Sequence, residues 1–165
     1  MSLLAEQGNC DVATGLLNKR GLQLVARGWL NRNQDVGVML VQQDRYEALE
    51  AVWSDAELQA NMVGLAKGIE ATFRASITIA RWIEGNFMLL SHHADRVLVE
   101  KMSQELRRAI DAIGYAEGDG PGPICIGYTL ASPTDTFDEA AARAEIALQT
   151  ALENGNCVRA HLLGA

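Results

Sequence analysis

Two short apolar runs, Ile77–Ile83 and Phe87–Leu90, follow each other with only Ile83-Glu84-Gly85-Asn86 at their junction. Runs of this length read as strands, and a glycine between them supplies the positive φ that a tight hairpin turn needs. A hairpin is therefore expected around residues 83–86. The other strand-like runs, Val36–Val41, Ile124–Leu130 and Cys157–Leu163, are set apart by segments of helical length. A hairpin inside such an alternation implies a mixed sheet with helices packed on it, in a single α/β domain.

The helical segments carry their own signals. Leu22, Val25, Ala26, Trp29 and Leu30 form a stripe over Lys19–Asn31, and Leu58, Met62, Leu65, Ile69 and Phe73 form another. Leu98, Met102, Leu106, Ala109 and Ile113 mark a helix from Asp95 to Ile113. Thr136-Phe137-Asp138-Glu139 is a capping-box sequence opening an Ala-rich helix to Glu153, and Gly155 suits its C-terminal cap. Asp44 and Glu47 are expected to cap a short helix in the same way. Asp11–Asn18 and Gly118–Pro123 read as loops. The expected order is α-β-α-α-β-β-α-β-α-β.

Length and charge narrow the function. A chain of 165 residues, 48% apolar, suits one globular domain. A net charge of −7 argues against nucleic acid and against an anionic membrane surface as partners. No apolar run approaches the roughly 20 residues of a membrane span, and no secretory signal is visible, so a cytoplasmic location is expected. Cys10, Cys125 and Cys157 are odd in number and lack metal-ligand spacing, which reads as reduced thiols. His92 and His93 are adjacent, so on a strand they would point to opposite faces and clamp a metal poorly. Residues 1–10 read as a tag or linker, 11–163 as the domain and 164–165 as a tail.

Four motifs in order carry more than their periods. Asp11-Val12-Ala13-Thr14-Gly15-Leu16-Leu17-Asn18-Lys19-Arg20 resembles the D-x-L-T-G-L-x-N-R-R opening of GGDEF domains. Ala80 through Phe87 falls where that family writes A-R-x-G-G-D-E-F. Ile124-Cys125-Ile126-Gly127 resembles its S-I-G strand, and Ala144 through Gly155 its closing A-D-x-A-L-Y-x-A-K-x-x-G. The resemblance spans residues 11 to 163. It implies a nucleotidyl-cyclase palm-like fold with a central mixed sheet, and two such domains meeting as a homodimer around two GTP molecules. The chemistry implied is phosphoryl transfer assisted by two divalent cations.

Residue by residue, the resemblance also shows departures. Gln42 stands for the first metal aspartate of D-x-D-x-F-K, Asp44 for the second and Glu47 for the lysine. Asp44 is a weak metal candidate, read first as a helix cap. Ile83 and Glu84 replace the two signature glycines, Gly85 the aspartate, and Asn86 the glutamate that would supply a metal ligand. Glu50 and Gln59 fall at the guanine-reading asparagine and aspartate. Leu152 replaces a phosphate-binding lysine and Asn156 an arginine. Of the product-inhibition motif R-x-x-D, Arg74 remains and Ile77 replaces the aspartate; Arg74 and Arg81 are its remnants, read first as exposed and solvated. Asp44, Glu50, Gln59 and Asn86 are thus nucleotide-site remnants with no catalytic set among them. The implied protein is a catalytically inactive, regulatory GGDEF domain needing no cofactor, with Mg²⁺ relevant only if activity remains. Because the chain starts at the opening motif and ends past the last strand, its expected partner is a neighbouring sensory or EAL phosphodiesterase-type domain of the same protein. The alternatives are a non-catalytic GTP or cyclic di-GMP binding module and an active diguanylate cyclase.

Overall fold

The apolar run at Val36 becomes the centre of the sheet, paired on both edges and buried along nearly all its length. The computed structural model describes residues 8–83, 85–117 and 122–163. Its strands are β1 (Leu17–Asn18), β2 (Val36–Gln43), β3 (Thr78–Arg81), β4 (Asn86–His92), β5 (Ile124–Ala131) and β6 (Val158–Ala160). Its helices are α1 (Lys19–Asn31), α2 (Tyr46–Val52), α3 (Asp55–Phe73), α4 (Arg96–Glu117) and α5 (Phe137–Asn154). The sheet order is β1-β3-β4-β2-β5-β6. The β1–β3 and β5–β6 pairs are parallel and the others antiparallel, so the sheet is mixed.

Side chains alternate across the strands and sort the core into two layers. Val36, Val38 and Leu40 face α1 and α5, with Leu22, Ala26, Phe137, Ala144 and Leu148. Met39 and Val41 face α3 and α4, with Met62, Leu65, Ile69, Leu106 and Ile110. Along α5 the buried positions are mostly alanine, so the helix can lie close to β5.

Several expectations change in detail. The segment before α1 is not only loop: Leu17 and Asn18 pair with Ala80 and Arg81. Asp11 shapes the opening turn, its carboxylate accepting from the Thr14 backbone N–H at 2.9 Å and the Thr14 hydroxyl at 2.7 Å. Gly15 completes that turn at φ 75°. Gly8–Cys10 belong to the fold: Asn9 is fully buried, and its carbonyl accepts from the Asn18 N–H at 2.8 Å. The last strand covers Val158–Ala160, shorter than expected. Most of the Gly118–Pro123 loop lies outside the described residues, as does Glu84. His93 leaves the strand at φ 54°, so its ring stacks on His92 at 4.0 Å where opposite faces were expected. His92 in turn stacks on Trp29 at 4.2 Å.

The capping assignment at Asp44 is corrected. The short helix α2 begins at Tyr46 with Arg45 at the cap position and no side-chain cap bond. Asp44 lies one residue too early, and its carboxylate turns away to Cys125. The full capping box sits instead on Ser54 and Glu57 at the start of α3. At α5 the cap is Thr136 as expected, accepting from the Glu139 N–H at 3.2 Å. Gly155 ends that helix at φ 75°.

Candidate functional site

Antiparallel pairing on both sides of β2 gathers one end of the sheet. Gln42 is in register with Asn86 at the start of β4 and with Cys125 near the start of β5. Partners directly opposite each other project to the same face, so Gln42, Asn86 and Cys125 share the α5 side. Asp44 follows two residues after Gln42, and its backbone N–H donates to Pro123 O at 3.0 Å. Three of the residues singled out in the sequence, Gln42, Asp44 and Asn86, are thus brought together.

Their chemistry is that of amides in mutual contact. Asn86 Nδ2 donates to Gln42 Oε1 at 3.5 Å, and Asn86 Oδ1 accepts from the Ile83 N–H at 3.1 Å. Asn86 is buried, and its amide is used at both ends, the oxygen in closing the hairpin and the nitrogen in reaching β2. Asp44 Oδ1 accepts from the Cys125 thiol at 3.5 Å, and its Oδ2 lies 3.2 Å from where a side chain at Gly155 would begin. Among the described residues no group of three or more His, Cys, Asp or Glu side chains gathers for a metal. One carboxylate and two bonded amides do not fit a pair of divalent cations, which are held mainly by carboxylate oxygens.

Beside this cluster runs a cleft of about 410 Å³, lined by Gln42, Asp44, Arg45, Glu47, Ala48, Gln149, Leu152 and Glu153. Three carboxylates against one guanidinium repel a triphosphate, and the half-buried Leu152 offers it no donor. Asn156 lies next to the C-terminal cap of α5 at φ 42°, with its Oδ1 buried and unbonded.

Gly85 is buried against Tyr46: a Cβ there would lie 2.4 Å from the ring. Close approach of an aromatic ring therefore accounts for glycine at this position.

The expectation that Arg81 is exposed and solvated is corrected. Its side chain is 10% exposed, 3.7 Å from the Asp11 carboxylate, and its Nη1 donates to Gln59 Oε1 at 2.5 Å. The parallel β1–β3 pairing, which the sequence reading lacked, brings the opening turn beside β3 and makes this possible. Gln59 is thereby engaged by Arg81. These residues line a shallow groove of about 530 Å³ with Asn18, Lys19, Arg20, Trp82 and Ile83. Glu50 is exposed on α2, and Arg74 is exposed just beyond α3 with φ 54°; neither lines this groove or the acidic cleft.

Other polar contacts went unread. Trp82 is buried, donates from Nε1 to Glu145 at 3.1 Å, and carries Lys19 Nζ over its ring at 4.6 Å. Arg143 makes a buried pair with Asp135 at 2.8 Å and also donates to Thr129 Oγ1 and Leu130 O. The Ser54-x-x-Glu57 spacing was readable as a capping box; the contacts of Trp82 and Arg143 link segments distant in sequence and leave no local signal.

The fold is shared with solved structures. It superposes on the FimX GGDEF domain of Pseudomonas aeruginosa with a TM-score of 0.78 at 16% identity, covering 93% of this chain and 99% of that one. For the coiled coil and GGDEF domain of Caulobacter crescentus DgcB in complex with c-di-GMP, the TM-score is 0.80 at 14% identity, over 96% of this chain and 88% of that one. For the S helix-GGDEF-EAL structure of Vibrio cholerae LapD bound to c-di-GMP it is 0.78 at 19% identity, over 98% of this chain and 38% of that one. At these identities the likeness is one of fold. No curated protein matches the sequence. The family model described as diguanylate cyclase, GGDEF domain, matches residues 8–157, so the chain belongs to the GGDEF domain family.

Proposed function

We propose that this domain makes no cyclic di-GMP and serves as a regulatory, signal-transmitting module of a longer protein in cyclic di-GMP signalling. The observation that carries the reading is the Asn86–Gln42 pair. Two neutral amides contact each other where the family resemblance implies carboxylates around divalent cations, and metal-assisted phosphoryl transfer depends on such anionic ligands. The acidic cleft beside them supports the same conclusion, since it disfavours the substrate's own charge.

On this reading residues 8–163 form a cytoplasmic domain, and its partner is a covalent neighbour of the sensory or EAL phosphodiesterase type. The LapD structure, which joins an S helix, a GGDEF domain and an EAL domain, supports that arrangement. Such a module works by packing better against one state of its neighbour than another. A difference of about 1–3 kcal/mol changes the neighbour's activity roughly 5–150-fold.

The purified protein, incubated with GTP and Mg²⁺ or Mn²⁺, is expected to yield no cyclic di-GMP above a protein-free control; sustained synthesis would overturn the reading. In the parent protein, deleting residues 8–163 is expected to change the neighbour's output, and equal output from two folded versions would remove the regulatory role. A residual binding module is the second reading, favoured by Lys19 and Arg20 on the 530 Å³ groove. A rise in melting temperature with GTP or cyclic di-GMP would favour it.

A further inference from the structure

We propose that Cys125 and Cys157 form a reversible intramolecular disulfide, making the floor beneath the C-terminal end of α5 a thiol-oxidation site for low-molecular-weight disulfides. Both cysteines are free thiols in the structure. They lie on or beside adjacent parallel strands, each immediately before the Ile126–Val158 register pair, and the Ile126 N–H donates to Cys157 O at 3.0 Å. Neighbouring strands stand about 4.8 Å apart, within the roughly 4.4–6.8 Å Cα separation that a disulfide spans. Both side chains already point to one spot. Cys125 Sγ lies 3.5 Å and Cys157 Sγ 3.3 Å from the same acceptor, Ala151 O. Forming the bond requires the two sulfurs to turn from that shared carbonyl toward each other.

The surroundings assign different roles to the two thiols. Cys157 is half-buried and Cys125 fully buried, so Cys157 meets the oxidant. Its thiolate attacks one sulfur of the small disulfide, the S–S bond breaks, and one small thiolate leaves and takes a proton from solvent. Cys125 then loses its proton to base in the mildly alkaline solvent. Its sulfur attacks the Cys157 sulfur and expels the second small thiolate. Two protein thiols are oxidised to one disulfide, and the small disulfide is reduced to two thiols. Burial first, and then the negative charge of Asp44, push the Cys125 thiol up to about 11, which keeps it unreactive until Cys157 has been modified. Cys10 sits beside β1, at the opposite edge of the sheet from β6, and takes no part.

The test treats the full chain with oxidised glutathione at mild alkaline pH, followed by peptide mapping under non-reducing conditions. The expected result is loss of two hydrogens and one Cys125–Cys157 cross-linked peptide. It is accompanied by a rise in melting temperature of roughly 5–10 °C that dithiothreitol reverses. Cys125→Ser is expected to stop at a glutathione adduct on Cys157, and Cys157→Ser to leave Cys125 unmodified. A persistent adduct in the wild-type chain, a cross-link through Cys10, or no reaction at either thiol would overturn the proposal.

Discussion

Replacing Gly127 with alanine tests the account of how α5 packs on the sheet. A methyl group at Gly127 would lie 2.0 Å from Leu148 N, 2.6 Å from Ala144 O and 2.6 Å from Ala147 C. All three are backbone atoms of α5, so no side chain can rotate out of the way. Restoring ordinary contact requires the helix to withdraw by about 1.5 Å. That withdrawal loosens Phe137, Ala140, Ala144, Leu148 and Ala151 from the layer they share with α1 and β2. Overpacking costs about 1–3 kcal/mol where side chains adjust. With a rigid helix opposite, about 3–5 kcal/mol is expected, comparable to losing a large core side chain. For a chain of this size each kcal/mol moves the melting temperature by roughly 2–4 °C. The fall is therefore roughly 6–20 °C in a thermal denaturation followed by far-ultraviolet circular dichroism. Gly64→Ala is the control: it lies within α3, nothing approaches its Cβ position within 4 Å, and alanine there should stabilise by about 0.5–1 kcal/mol. If Gly127→Ala melts within about 2 °C of the wild type, or if both substitutions shift it alike, the close-packing argument fails.

Other perturbations probe the remaining contacts. Arg143→Ala strands the Asp135 carboxylate at 4% exposure, and about 3–5 kcal/mol should be lost in urea denaturation; a loss under about 1 kcal/mol would show the pair to be dispensable. Ser54→Ala should cost about 1 kcal/mol through the α3 capping box while Asp44→Ala costs less than about half that, and the reverse order would restore Asp44 as the cap. Alkaline pH should destabilise the fold. Burial and Asp44 raise the Cys125 thiol from 9.0 to about 11, and burial and a hydrogen bond to Glu100 raise the Tyr128 hydroxyl as well. The unfolded chain releases these protons first, so stability is full below about pH 9 and falls as pH rises through 11. Urea midpoints at pH 8 and 10.5 should show the fall, shallower in Cys125→Ala; a flat profile would contradict the burial of both groups.

Much of the scaffold was legible because its signals are local. The stripe on α1, the Thr136 cap and the Gly155 stop depend on residues within a turn or two of each other, and period or capping chemistry reveals them. Asp44 misled for a related reason. Asp-x-x-Glu is a capping pattern on paper, yet Asp44 is drawn to Cys125 across the sheet, and Ser54 holds the cap that α3 needs. Arg81 misled because an arginine's surroundings are set by chain crossings. The two-residue β1 was too short to show a period, and it is what brings Asp11 within reach. The stacking of His93 on His92 required a left-handed backbone at a residue other than glycine, which composition does not announce.

The polar residues at this end of the sheet are mutually accommodated. Asn86 holds the Ile83 N–H and reaches Gln42, while Gln59 receives Arg81, which also faces Asp11. A glutamate placed at Asn86 would lose the donor that meets Gln42 and bring a charge into a buried position, a cost that falls on folding before any cation is gained. An aspartate placed at Gln42 alone would stand near the Asp44 carboxylate with no added cation ligand at Asn86. Each change toward a carboxylate set is therefore opposed by the contacts the neighbouring residues make. Gly127 answers to the packing of α5, and the turn built on Asp11 and Thr14 to hydrogen bonds within itself, so neither depends on which residues line the acidic cleft. The packing of α5 on the sheet and the lining of the acidic cleft thus rest on largely separate residues, so the fold by itself does not fix the chemistry.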